Sequence, residues 1–306
     1  MTEALLWIGF VVFIVGMLVL DLKVLQKKDH DIMVREALLW TLFWIVLSLL
    51  FNVGVYFYMG KDYALEFLTG YLIEKALSVD NIFVFILIFT YFDIPPRFQH
   101  KILFWGILGA IIMRAAFILA GVAIIQQLHW AIYILGAFLV YIGIKMAFEK
   151  EKEIHPEKNP ALRAFSKIYP VDYNYKGGNF FIRKGGKLVA TPIFVVLLVI
   201  ETTDIVFAID SIPAILSITL HPFIVFTSNI FAILGLRALY FAVSGIMKLF
   251  RYLNYGLSLI LVFVGVKMLI SDFYKIPVSI ALSVVGGLLV GSIVLSILLA
   301  DKKKKE

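Results

Sequence analysis

Two apolar stretches long enough to cross a membrane carry carboxylates in their interiors, and this constrains the chain more than any other feature. The first holds EKALSVDNIF, with Glu74 and Asp80; the second holds ETTDIVFAIDSIP, with Glu201, Asp204 and Asp210. A charge at the bilayer centre costs about 2.5–3.5 kcal/mol on insertion scales, so such residues are functional candidates. The setting is membrane rather than a large soluble core. The chain is 62% hydrophobic and only 16% charged, against about 25% charged in soluble domains. A span needs about 20 apolar residues, and the pattern predicts an all-α polytopic protein with about nine: 4–22, 38–58, 64–91, 102–125, 130–148, 190–216, 222–247, 255–271 and 277–299.

Lysine and arginine alternate between loops. They cluster after spans 1, 3, 5 and 7 and in the C-terminal DKKKKE, whereas the intervening loops hold only Lys61 and Lys275. Basic loops stay cytoplasmic, so the N-terminus is expected outside and the C-terminus inside. The first span lacks a basic leader and a small-residue cleavage site, and reads as retained. The net charge of +7 fits this topology. No basic patch is interleaved with base-stacking aromatics, so nucleic acid is not an expected partner. With no cysteine, disulfides, thiolate metal sites and cysteine nucleophiles are excluded.

The two acidic stretches are related. Glu74 aligns with Asp204, Asp80 with Asp210 and Asn81 with Ser211; Arg114-Ala115 then answers Arg237-Ala238, and YIGIKM (141–146) answers FVGVKM (263–268). Three helices per unit is an odd number, so the second copy enters from the opposite side. This is the inverted-repeat plan of secondary transporters, with the ion site near the midplane. The expected organisation is two N-terminal helices over 1–60, a first repeat over 61–148 and a cytoplasmic loop over 149–189. A second repeat follows over 190–271, and a last helix with its basic tail over 272–306. Within the loop, GGNFFIRKGGKL reads as a turn or hairpin, and His155 as solvated.

Oxygen donors dominate the spans: the five acids, the amides of Asn81 and Asn229, and the hydroxyls of Ser78, Thr203 and Ser211. His100 and His221 sit at span ends, and Met113, Met146 and Met268 read as lipid-facing or packing residues. Oxygen-only ligands suit Mg²⁺, Ca²⁺ or Mn²⁺, without choosing among them. Six residues turn a helix by roughly 240°, so Glu74 and Asp80 do not share a face of an intact helix. A break is expected in span 6, where Pro213 clashes with the carbonyl of Ile209. Arg114 and Arg237 read as fixed countercharges or as structural arginines; Lys75 and Lys267 are further basic groups in the spans. Asp21 reads as an interfacial ion pair with Lys23, with ion access the alternative. A carboxylate that binds either a proton or a dication couples the two by linkage.

EKALSVDNIFVF, ATPIFVVLLVIETTDIVFAIDSIPA and SNIFAILGLRALYF resemble the signature stretches of the TerC family of integral membrane proteins, and the similarity runs over nearly the whole chain, including Asp21-Leu22. TerC proteins were named for tellurite resistance, are implicated in manganese efflux and in supplying manganese to secreted enzymes, and are grouped with LysE-type exporters. The resemblance implies Mn²⁺ export across the bacterial inner membrane, with Ca²⁺ or Mg²⁺ as the other ions. It implies a metal site of Glu74, Asp80, Asn81, Glu201, Asp204, Asp210 and Ser211, supported by Ser78, Arg114, Arg237, Asn229 and Asp21. Three rivals are weighed against it. One is a passive channel. Another is a membrane partner that docks secretion machinery or loads secreted metalloenzymes through the 149–189 loop. The last is an intramembrane aspartyl protease; no GxGD is present, and an enzyme is not expected.

Overall fold

The computed structural model describes residues 2–25, 34–128, 130–148, 159–172, 177–244 and 253–302. Helices account for nearly all of it: α1 (Thr2–Leu25), α2 (Val34–Met59), α3 (Lys61–Tyr91), α4 (Pro96–Gln127) and α5 (Ala131–Phe148). A short α6 (Pro160–Ile168) and the strands β1 (Phe181–Lys184) and β2 (Lys187–Ala190) follow. Then come α7 (Pro192–Leu216), α8 (Pro222–Leu234), α9 (Leu236–Ser244), α10 (Leu253–Leu269) and α11 (Val278–Lys302). His155, the EKEIHPEK segment and the lysines of the C-terminal tail lie outside the described residues.

Eight of the nine predicted stretches each fall on one helix, and the described part of 222–247 falls on two, α8 and α9. Five helices are long and apolar enough to cross a membrane by themselves: α2, α4, α5, α7 and α11. A sixth crossing arises if α8 and α9, bent by 40°, are one span. α1 and α10 contribute the apolar stretches Ala4–Val19 and Tyr255–Leu269, and α3 carries Glu66, Glu74, Lys75 and Asp80. Large apolar side chains face outward along α2 (Leu39, Leu50, Phe57) and α11 (Val290, Leu298). Meanwhile Arg114 and Arg237 are among the largest fully buried side chains. Such an inside-out distribution suits a lipid solvent, where buried polar groups face one another.

The helix break is not where the proline predicts it. α7 runs unbroken through Pro213, which lies in its last turn, where few further backbone bonds are at stake. The interruption occurs at Gly235, between α8 and α9. There Lys75 of α3 donates from Nζ to the Ala232 carbonyl at 3.1 Å, satisfying an oxygen that the break exposes. A Cβ at Gly235 would lie 2.8 Å from that Nζ, so glycine makes room for the amine.

Packing pairs α5 with α10, α4 with α7, and α3 with both α7 and α8. The α5–α10 crossing is close. A Cβ at Gly136 would lie 2.9 Å from the Gly265 carbonyl oxygen, and one at Gly143 would lie 2.8 Å from that of Ser258. Ser258 Oγ also donates to the Gly143 carbonyl at 2.6 Å. Small residues at crossings let backbones approach in this way. Met268 is buried in this seam with Met146 against it, matching the packing reading.

The GGNFFIRKGGKL segment forms the expected hairpin. β1 and β2 pair antiparallel, with Lys184 opposite Lys187. Gly185 and Gly186 take φ of 59° and 78°, the left-handed values that a two-residue hairpin turn requires. The segment is tied to the helices at one end of the bundle: Lys101 Nζ donates to the Gly178 carbonyl at 2.8 Å, and Thr191 Oγ1 donates to Asn179 O at 2.6 Å.

Candidate ion site

Four helices converge on one guanidinium. Arg114 of α4, 1% exposed, forks onto Asp204 of α7, with Nε to Oδ2 at 3.4 Å and Nη2 to Oδ1 at 3.3 Å. Its Nη1 pairs with Glu74 Oε1 of α3 and reaches Ser211 Oγ and Asn229 Oδ1, each at 3.2 Å. Asn229 Nδ2 of α8 then donates to Glu74 Oε2 at 3.1 Å. The Asn229 amide thus accepts from the cation and donates to the anion, which orients both. All five residues are buried.

The spacing explains which residues meet. Seven residues turn a helix by about 700°, only ~20° short of two full revolutions. Ser211 therefore shares a face with Asp204, and Asn81 with Glu74, whereas the acids six residues on do not. Asn81 is buried at 3% exposure, and Ser78, one turn from Glu74, is buried with its hydroxyl unpartnered among the described residues. Asp210 is half-buried. The Asp80 and Asp21 side chains lie outside the described residues. Thr203 Oγ1 donates to its own helix at Val199 O, 2.7 Å away, and so makes a backbone contact. Arg237 is buried at the start of α9, just beyond the break. The two arginines, equal in sequence, sit on an unbroken helix in one case and beside a kink in the other.

Two acidic side chains share this one guanidinium. Pairing it is required, since an unpaired ion in a low-dielectric interior costs several kcal/mol. Glu201, one turn before Asp204, is half-buried and packs against α4 at Gly109. A Cβ there would sit 2.0 Å from Glu201 Oε1. A cavity of about 10 Å³ adjoins Asp204, lined by Gly106, Ala110, Ile200 and Leu236 among others. That is about the space of one water. Gly106 and Gly109 were not singled out from sequence; their signal is the small residue spacing on α4 that leads to Arg114.

Among the described residues, no group of three or more His, Cys, Asp or Glu is close enough to hold a metal. What the arrangement offers is a mixed set of carboxylate, amide and hydroxyl oxygens, with a guanidinium at its centre. Oxygen donors of these kinds are those that hard divalent cations take.

The TerC family pattern of integral membrane proteins matches residues 59–305. The chain belongs to the TerC family. An uncharacterized membrane protein of Myxococcus xanthus is 50% identical over 96% of this chain and 92% of its own. A Salmonella typhi protein named as a membrane-bound redox modulator, Alx, is 45% identical over 99% of this chain and 97% of its own. A Rickettsia bellii membrane protein is 42% identical over 95% of this chain and 97% of its own. No solved structure matches. The TerC match takes in α3 to α11, and so every residue bonded to Arg114.

Proposed function

We propose that this TerC protein is a secondary transporter that exports a divalent cation, Mn²⁺, across the bacterial inner membrane by way of the buried carboxylates, in exchange for protons. The observation that carries the reading is the meeting of Glu74 and Asp204, the aligned acids of the two related stretches, on one buried arginine. Acids held deep in an apolar bundle are costly, and a cation pathway is what such residues serve. Ser78, Asn81 and Glu201 extend the same set of oxygens along α3 and α7.

Nine spans and two inverted three-helix repeats, 61–148 and 190–271, are part of this proposal, with the N-terminus outside and the C-terminus in the cytoplasm. Packing supports the repeat. The alignment that matches Tyr141 with Phe263 also matches Gly136 with Ser258 and Gly143 with Gly265. The close approach of Gly136 to Gly265 is then the image of that of Gly143 to Ser258. The pairing of α4 with α7 is likewise the image of α3 with α8. Two copies exchanged by an axis in the membrane plane would pack in this way. Manganese, rather than calcium or magnesium, rests on the family resemblance.

The naming of relatives as redox modulators fits an indirect route. This chain has no cysteine and no dithiol chemistry of its own, while export of a redox-active metal changes what the cell must buffer. The test is cellular metal content. A strain lacking the protein is expected to accumulate manganese, corrected by the wild type and not by Glu74→Gln or Asp204→Asn. Full correction by both variants would remove the buried acids from the mechanism.

A further inference from the structure

A second polar site lies on α3 two turns from Glu74, at the end of the bundle away from the hairpin. Residues 66, 70, 74 and 78 recur every fourth position and so form one stripe, rising about 6 Å per step. They are Glu66, Gly70, Glu74 and Ser78. At Gly70 the gap between the two acids is filled by Ser228 of α8, whose Oγ would lie 2.9 Å from a Cβ. Glu66 is half-buried, and its Oε2 is buried without a hydrogen-bond partner.

The α7–α8 connection faces this carboxylate. The Thr219 hydroxyl lies beside it and also accepts from the His221 backbone N–H at 3.1 Å. The His221 ring stands edge-on to Tyr63, one turn before Glu66, with centroids 4.9 Å apart. Its Nδ1 is likewise buried and without a partner. The remaining charged neighbours are Asp62, one turn back on α3, and Lys267 of α10. Lys267 donates to Ser217 O at 2.6 Å. Thr219 and Lys267 also line a cavity of about 450 Å³ between the α7–α8 connection, α10 and the start of α11.

We propose that Glu66 and His221 form a proton-binding station, filled from this cavity, that carries the proton exchanged for the exported cation. Two unpartnered buried atoms, a Glu66 carboxylate oxygen and the His221 Nδ1, are each able to take up a proton. A dication at the same place would find only two strong ligands, with the Lys267 ammonium opposing it. The step is balanced: one proton leaves water in the cavity, forms an O–H or N–H bond at Glu66 or His221, and is released again when the cation crosses. The station rests on the transport reading above, and the experiment separates the two.

Purified protein in liposomes is loaded with Mn²⁺, and metal and proton fluxes are read by fluorescent indicators under an imposed pH gradient. The wild type is expected to move protons against metal. Glu66→Gln and His221→Gln are expected to cut the pH-gradient-driven metal flux at least tenfold, with unchanged gel-filtration profiles and thermal unfolding. Metal flux indifferent to the gradient overturns the station together with proton exchange and leaves metal export standing; full coupling in both variants overturns the station alone. Infrared pH titration of the detergent-solubilised protein reads the carboxyl directly. A protonated-carboxyl band lost in Glu66→Gln and shifted in midpoint by His221→Gln supports the station even if no metal flux is found. Titration unchanged by both variants overturns it.

Discussion

The Glu201 carboxylate of α7 lies against the Cα of Gly109 on α4, so close that a methyl group at 109 would stand 2.0 Å from Oε1. No rotation of the methyl relieves such an overlap; the acid or the helix must move. Gly109→Ala is therefore expected to swing Glu201 away from the α4–α7 interface. The clashing atoms are the far end of a flexible side chain, so the carboxylate moves at little cost to the fold. Manganese accumulation in cells carrying the variant should rise toward that of the deletion strain, with the protein still present in the membrane by immunoblot.

Arg114 is the shared cation of Glu74 and Asp204. Removing one member of a buried ionic set costs about 3–5 kcal/mol, because the charges left behind are stranded. Arg114→Met is expected to lower the thermal unfolding midpoint sharply. Adding Glu74→Gln and Asp204→Asn to it should recover much of the loss, because the stranded anions are then gone. Differential scanning fluorimetry on the single and triple variants decides the point, and no recovery would mean that Arg114 acts through packing alone.

Lys75 stabilises the kink at Gly235 through the Ala232 carbonyl. Lys75→Met would leave that oxygen buried and unbonded, at a cost of about 1–3 kcal/mol. Gly235→Ala would press on the same amine from the other side. Both are expected to increase proteolytic cleavage near residue 235 in detergent, and the double variant should be little worse than either single one, because both act on one contact.

The α5–α10 crossing predicts matched effects at matched positions. Gly136→Val and Gly143→Val each drive a side chain into backbone of the facing helix, at Gly265 and Ser258 respectively. Both should destabilise by similar amounts, of order 1–3 kcal/mol or more. Gly286→Val on α11, where a Cβ meets nothing within 4 Å, should leave the unfolding midpoint in place.

Sequence shows the helices well because apolar runs of span length leave little choice, and GGKL shows the hairpin turn because two consecutive glycines permit it. It shows Glu74 and Asp204 as aligned acids, but not that they meet on Arg114. That outcome depends on helix rotation, where six residues point away and seven point back. Pro213 misleads because a proline is disruptive only where the helix continues beyond it. Gly235 is quiet in sequence, and the kink there depends on a lysine from α3, far away in the chain. Glu66 and His221 sit near span ends, where polar residues are ordinary, and only the fold shows that their unbonded atoms are buried.

The glycine seam between α5 and α10 also limits how the molecule can move. Two backbones in contact at two points have no slack to slide, and a serine hydroxyl fastens one of those points. Any rearrangement of the buried charges on α3, α4, α7 and α8 would then have to turn about this fixed pair, where the chain has spent its smallest residues.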